Sequence, residues 1–319
     1  MNPKRRRIVT AALFSGLAAC TSPKMPSPPA FDLPDQIKVR VDGRVRAIPL
    51  DEYVLGSILA EVSPVDETSE TAARIFEVQS VIARTYAVAH LGRHQSQGFD
   101  LCDSTHCQLY DPARIKTSRF TQGAREAVSK TARDVVLFAR RPAEALFHAD
   151  CGGWTTSADA VWGGRAVPYL KTARDSQPSL SHRSWRFAVP FAKLRDALNR
   201  DQRSRVGNRL DGIDIVKRDA SGRAATIALR GQHRPVLRGD DLRAIMNDTF
   251  GDRAVQSTKM TISRTRDSFV FDGAGFGHGV GLCQIGAAAR ARRGESVKEI
   301  IEVYFDGATV ARVRRALGN

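Results

Sequence analysis

The chain has 319 residues, 42% of them hydrophobic, and a formal net charge of +15. It is long enough to bury a sizeable core and shows no repeats or long low-complexity tracts. The positive balance favours polyanions, but the arginines are spread along the chain without an aromatic-interleaved patch, which argues against nucleic acid.

Residues 1–20 read as a signal peptide. Lys4, Arg5, Arg6 and Arg7 form its charged part, and Ile8 to Ala19 form an apolar part too short to span a bilayer. Leu17-Ala18-Ala19-Cys20 resembles a bacterial lipobox, which implies cleavage before Cys20 and lipidation of its thiol. Ordinary secretory cleavage is the alternative, and either route places the mature protein outside the cytoplasm. We expect a periplasmic lipoprotein held to a membrane of the cell envelope, the outer membrane in particular. Residues 21–34 carry Pro23, Pro26, Pro28, Pro29 and Pro34 and read as a semi-rigid tether. Residues 35–319 then read as one large mixed α+β domain with two lobes flanking a cleft.

Ile37 to Ile48 alternates apolar and polar residues around Asp42-Gly43. This predicts a β-hairpin with Ile37, Val39, Val41 and Val45 facing a core. Pro49-Leu50-Asp51 opens a helix on which Tyr53, Val54, Ser57, Ile58 and Glu61 share a face, and Pro64 stops it. A carboxylate on an apolar face near a helix C-terminus has its pKa raised by desolvation and by the dipole. That suits Glu61 to general acid work, the alternative being a surface residue in a fraying turn. Thr71 to Leu91 predicts a longer helix with Ile75, Val78, Val81, Ile82, Tyr86 and Ala89 as its stripe. Gln79 and Arg84 lie at the edge of that stripe, turned to a cleft or to solvent.

Cys102, His106 and Cys107 form the densest cluster of potential ligands. They suit a structural zinc, with His94, Cys151 or His278 as a fourth ligand, or a Cys102–Cys107 disulfide. Further on, Asp150 to Thr155 is a glycine turn carrying Cys151, a conceivable nucleophile with His148 or His278 as base. Tyr169 and Lys171 stand two apart on a segment read as extended, and so share a side. Residues 190–270 read as amphipathic helix and short strands without evident chemistry. Gly273 to Gly286 holds six glycines in fourteen residues, with His278, Cys283 and Gln284 among them. Such a run suits backbone that turns tightly or lies against a ligand. Ala287 to Ala291 continues as helix, and Lys298 to Tyr304 is a final helical turn.

Six stretches together resemble the stage II sporulation protein D (SpoIID/LytB) family of wall-lytic enzymes. They are Leu50 to Pro64, Gln79 to Ala87, Cys102 to Tyr110, Asp150 to Thr155, Pro168 to Lys171 and Gly275 to Ala289, in the family's order. The resemblance implies a lytic transglycosylase. Such an enzyme cleaves the bond between N-acetylmuramic acid and N-acetylglucosamine without water, on glycan strands stripped of stem peptides, and leaves 1,6-anhydro ends. It puts the catalytic acid at Glu61, a cleft arginine at Arg84 and substrate-binding groups at Tyr169 and Lys171. His278 and Gln284 join them as expected substrate contacts from the glycine stretch. It implies no cofactor for the chemistry, and a structural zinc on Cys102, His106 and Cys107 in some members. Expected partners are denuded peptidoglycan, a membrane through the lipid anchor, and an amidase or another envelope protein. Glu77 stands where the family usually has lysine, a change that bears on substrate preference. An inactive glycan-binding scaffold and a hydrolase built on Cys151 or Cys283 are the alternatives.

Overall fold

The computed structural model describes residues 31–175 and 184–315. The expected leader, Cys20 and most of the tether lie outside the described residues. β1 (Gln36–Val41) and β2 (Arg44–Pro49) pair as the expected antiparallel hairpin. Asp42 and Gly43 between them have φ of +49° and +76°, the two positive values that a type I′ turn requires. Ile37, Val39 and Val41 are buried, but Val45 is 49% exposed. β2 is the edge of a three-stranded sheet and turns only Ile48 inward, so alternation alone overstates its burial.

α1 (Leu50–Glu61) starts directly after Pro49 with Asp51 and Glu52 in its first turn, where negative charge meets the positive end of the dipole. Every residue from Tyr53 to Leu59 is buried, so α1 is a central helix and has no solvent face over that span. Gly56 makes room for Tyr110: a Cβ there would stand 2.5 Å from that ring, which stacks on Tyr53 at 5.1 Å. α2 (Ser69–Ala89) is capped by Thr68, whose hydroxyl accepts the Thr71 N–H at 3.2 Å. β3 (Leu101–Cys102) adds parallel to β1. α3 (Arg114–Thr117) and α4 (Thr121–Lys130) pack with α1, and β4 (Asp134–Phe138), β5 (Arg141–Pro142) and β6 (Phe147–His148) follow. Short α5 (Ala158–Trp162) comes next.

The chain then builds a second core. β7 (Ser184–Pro190), α6 (Phe191–Arg200), β8 (Leu210–Arg218), β9 (Ala224–Gly231), β10 (Val236–Arg238) and α7 (Gly239–Phe250) precede β11 (Met260–Arg264) and β12 (Ser268–Ala274). Leu194, Ile227, Leu242, Met246 and Phe271 are at its centre. β13 (Leu282–Cys283), α8 (Gln284–Arg292), α9 (Val297–Glu302) and β14 (Thr309–Arg312) return to the first core, where β14 pairs with β4. The fold is mixed α+β, as expected, with two hydrophobic clusters formed by a chain that leaves the first and comes back to it. No helix among the described residues is long and apolar enough to cross a membrane.

Candidate active site

α1 ends at a groove of about 930 Å³. Ala60 and Glu61 line it from the last turn of α1, and Tyr86 and His90 from the end of α2 with Arg93 just beyond. Thr105 to Leu109 line it too, as do Glu144 and the segment from Leu146 to Ala149. Trp162, Phe276 to His278 and Gln284 add to the lining, and Arg253 reaches it from the loop after α7.

The glycine stretch reaches the groove because its backbone is zipped onto residues 146–156. Asp150 and Phe276 exchange N–H···O=C bonds of 2.9 and 2.8 Å, Thr156 N–H donates to the Gly279 carbonyl at 2.8 Å, and Leu282 N–H to that of Leu146 at 3.0 Å. Gly281 shows why a side chain is excluded: its φ is +71°, and a Cβ would stand 2.1 Å from the Leu146 carbonyl oxygen. His278 is held in this frame. Its Nδ1 accepts the Val280 N–H at 3.0 Å, a Phe147 backbone bond engages the ring, and its centroid lies 5.1 Å from Trp162 and 5.5 Å from His148. Burial, and then the Arg243 charge, push its pKa down to about 3. His278 is therefore a neutral imidazole at neutral pH, a fixed wall of the groove.

Glu61 is the opposite case. Burial pushes its carboxyl up to about 7, although a backbone hydrogen bond from Leu109 pulls the other way. Half protonated near neutrality, it can both give and take a proton. Two exposed guanidiniums, Arg93 and Arg253, line the same groove, and Arg93 Nη1 donates to the Tyr86 hydroxyl at 3.2 Å. The arrangement suits protonation of a leaving oxygen on an anionic substrate.

His94, Cys102, His106 and Cys107 gather beside this acid, with one ligand atom of each within 4.8 Å of the others. His94 Nε2 lies 3.3 Å from Cys107 Sγ, and His106 Nδ1 lies 3.8 and 3.7 Å from the sulfurs of Cys102 and Cys107. Around a tetrahedral zinc with bonds of roughly 2.0–2.3 Å, neighbouring ligand atoms lie about 3.3–3.8 Å apart, so the four residues fit that ion. Burial raises the Cys102 thiol, but hydrogen bonds from the Ser104 hydroxyl and backbone outweigh it and hold the thiol down at about 7. A near-neutral thiol readily supplies the thiolate that a metal needs. Both cysteines are free thiols, and His94 offers the fourth ligand atom. The metal side of the Cys102–Cys107 alternative is the one this geometry favours. Leu109, whose backbone bonds Glu61, lies two residues past Cys107.

A family model described as "Stage II sporulation protein" matches residues 42–138, the part that holds Glu61 and the cysteine–histidine quartet. A domain of unknown function matches residues 177–281. The chain is 28% identical to stage II sporulation protein D of Bacillus amyloliquefaciens, over 84% of this chain and 75% of that protein. It is also 28% identical to an uncharacterized protein of Brachyspira hyodysenteriae, over 85% of this chain and 69% of the other. An amidase enhancer of Bacillus subtilis is 24% identical over 79% of this chain and 40% of its own length. Over residues 42–138 the chain carries a SpoIID-family domain.

Within this SpoIID fold the expected site residues separate. Glu61, His278, Gln284, His106 and Cys107 line the groove, and Gln284 Nε2 meets Gln79 Oε1 at 3.4 Å. Arg84 does not: it is wholly buried, with Nη1 donating to the Thr131 carbonyl at 2.8 Å and Nη2 to that of Val128 at 3.3 Å and to Asp51 at 3.4 Å. It ties α1 and α2 to α4. Tyr169 sits behind the groove, where its hydroxyl accepts the Glu144 N–H at 2.8 Å. Lys171 is exposed and ion-paired with Asp306. Residues 168–170 form a turn, so these two side chains part company. Glu77 is buried against Lys130 at 2.6 Å, away from the groove. Cys151 and Cys283 are fully buried and do not line the groove, which removes the basis for a thiol hydrolase.

Sequence reasoning missed Arg93, Arg253, His90 and Gln108. Gln108 is buried at the groove, and neither polar atom of its side chain has a hydrogen-bond partner among the described residues. Its place in the Cys102 to Tyr110 stretch was the available signal. The two arginines gave none, because only the fold brings the loops at 93 and 253 to one groove.

Proposed function

We propose that the chain is a peptidoglycan lytic transglycosylase acting on glycan strands that have lost their stem peptides. The family relationship gives it a cell-wall-related function; the reaction is inferred from the groove. Glu61 carries the inference: a carboxyl group raised to about 7 at the groove end of a buried helix. As the acid, Glu61 protonates the glycosidic oxygen and gives an oxocarbenium-like sugar. As the resulting carboxylate, it takes the proton from the C6 hydroxyl of the same sugar, which closes on C1. One residue serves both steps, because its pKa sits near the working pH. The lactyl carboxylate of a peptide-free sugar complements Arg93 and Arg253, whereas a stem peptide converts that carboxylate to a neutral amide and adds bulk. An amidase that strips stem peptides is therefore a natural partner, and the amidase enhancer among the relatives supports this. The quartet around His94 holds a structural zinc that orders the wall beside Glu61, with no part in bond cleavage. Export, with a lipid on Cys20, puts the groove beside the wall. We read the second hydrophobic cluster as a lobe that closes part of the groove through Arg253.

Glu61→Gln is expected to abolish release of fragments from denuded strands. Glu144→Gln, the other carboxylate of the groove, is expected to leave it nearly intact. Full turnover by Glu61→Gln contradicts the assignment. Equal loss in both variants points instead to the two-carboxylate hydrolysis of ordinary glycosidases. A glycan-binding scaffold predicts strand binding without turnover in every form.

A further inference from the structure

Cys151 and Cys283 play no part in this chemistry, yet they meet in the core. Both are fully buried. The Cys151 N–H donates to Cys283 Sγ at 3.3 Å, and the two sulfurs lie within 4.8 Å of each other. Such a contact is compatible with the roughly 4.4–6.8 Å between Cα atoms that a disulfide spans. Cys151 follows Asp150, which bridges to Phe276, and Cys283 ends β13, which runs parallel to β6. The strands flanking both residues are thus already paired, so side-chain rotation is the main adjustment that a bond requires.

We propose that Cys151 and Cys283 form a disulfide when the chain folds in an oxidising compartment. The two thiols lose two electrons and two protons to a disulfide donor, protein or small molecule. A sulfur–sulfur bond forms in the chain, and the donor's bond is reduced to two thiols. Because both sulfurs are sealed in the native fold, the exchange takes place during folding, and the finished bond is shielded from reductants. The surroundings favour this outcome over a metal. The Asp175 carboxylate stands 3.7 Å from Cys151 Sγ, where it opposes thiolate formation and leaves a neutral disulfide undisturbed. Among the described residues His148 joins the two sulfurs as a third donor, against four donors at the His94 quartet. The bond staples the turn at 150–153 to the start of α8, and so fixes Gln284 relative to His148, both of which line the groove.

The test refolds the reduced, denatured full-length chain in a glutathione/glutathione disulfide buffer, quenches it with acid, and maps its peptides without reduction. Using purified protein makes the result independent of whether the chain is exported and of its enzymatic activity. The expected product is one linked pair, Cys151 to Cys283, with Cys102 and Cys107 still open to alkylation. Refolding in a phosphine reductant is expected to lower Tm by about 5–15 °C relative to the oxidised form, because the bond closes a long loop. Cys283→Ser is expected to lose both the link and the sensitivity. If the Cys283→Ser variant does not fold, peptide mapping of the parent chain decides alone. Recovery of Cys151 and Cys283 as free thiols, their pairing with Cys102 or Cys107, or a second bound zinc that Cys283→Ser releases overturns the proposal.

Discussion

Glu61 has its acidity set by position: the last residue of a helix buried from Tyr53 to Leu59, with its carboxyl drawn in behind it. A carboxyl raised from 4.5 to about 7 holds its proton more tightly in the folded chain than in the unfolded one. The unfolded chain therefore ionises first as pH rises, and the folded state loses stability between about pH 4.5 and 7. Glu61→Gln removes that penalty. It is expected to stabilise the protein by about 1–3 kcal/mol at pH 8, after allowance for partial exposure, and to leave stability nearly unchanged at pH 4. Urea denaturation at the two pH values checks this, and destabilisation at pH 8 contradicts it. The same group predicts activity that falls about tenfold per pH unit above roughly 7, as the acid form is lost. Arg84 gives a contrasting prediction. Arg84→Met removes the guanidinium's bonds to the carbonyls of Thr131 and Val128 and to Asp51 and is expected to cost about 3–5 kcal/mol. Molecules that remain folded should keep their KM; a raised KM at unchanged stability would return Arg84 to the substrate.

At the scale of elements, α1 and the hairpin before it were legible because several local signals agreed. Asp42-Gly43 specifies the turn, Pro49 and Pro64 bound the helix, and the three-and-four spacing delivers Glu61 to its end. Arg84 was misread because helical periodicity ranks faces by apolar content. A guanidinium satisfied by backbone carbonyls looks the same in sequence as one turned to a ligand. Tyr169 and Lys171 were misread because a turn replaced the extended segment that would have aligned them. The fourth donor of the quartet was only one of three candidates, since its choice depends on where the loop after α2 lands. Chelation, or Cys102→Ser, is expected to release about one zinc per chain and to lower Tm by several degrees. Metal analysis with calorimetry checks it, and a metal-free chain of unaltered Tm contradicts it.

The molecule combines two hydrophobic cores, a groove lined by two exposed arginines, and a charge of +15 that becomes +11 once Lys4, Arg5, Arg6 and Arg7 leave with the expected signal peptide. On the proposed function that charge attracts an anionic wall polymer over about a Debye length, so binding to denuded sacculi is expected to weaken several-fold between about 0.05 and 0.5 M salt. Salt-independent binding in pelleting assays contradicts that role for the charge. The α+β class was legible from the alternation of strand and helix signals. The groove was not, since residues as far apart in sequence as Glu61 and Arg253 line it together. In the proposed reaction the cleaved sugar closes on its own hydroxyl. Mass spectrometry of fragments released from peptide-free strands in isotopically labelled water tests this most directly. Unlabelled 1,6-anhydro ends, one water lighter than reducing ends, are the predicted result; labelled reducing ends would contradict it.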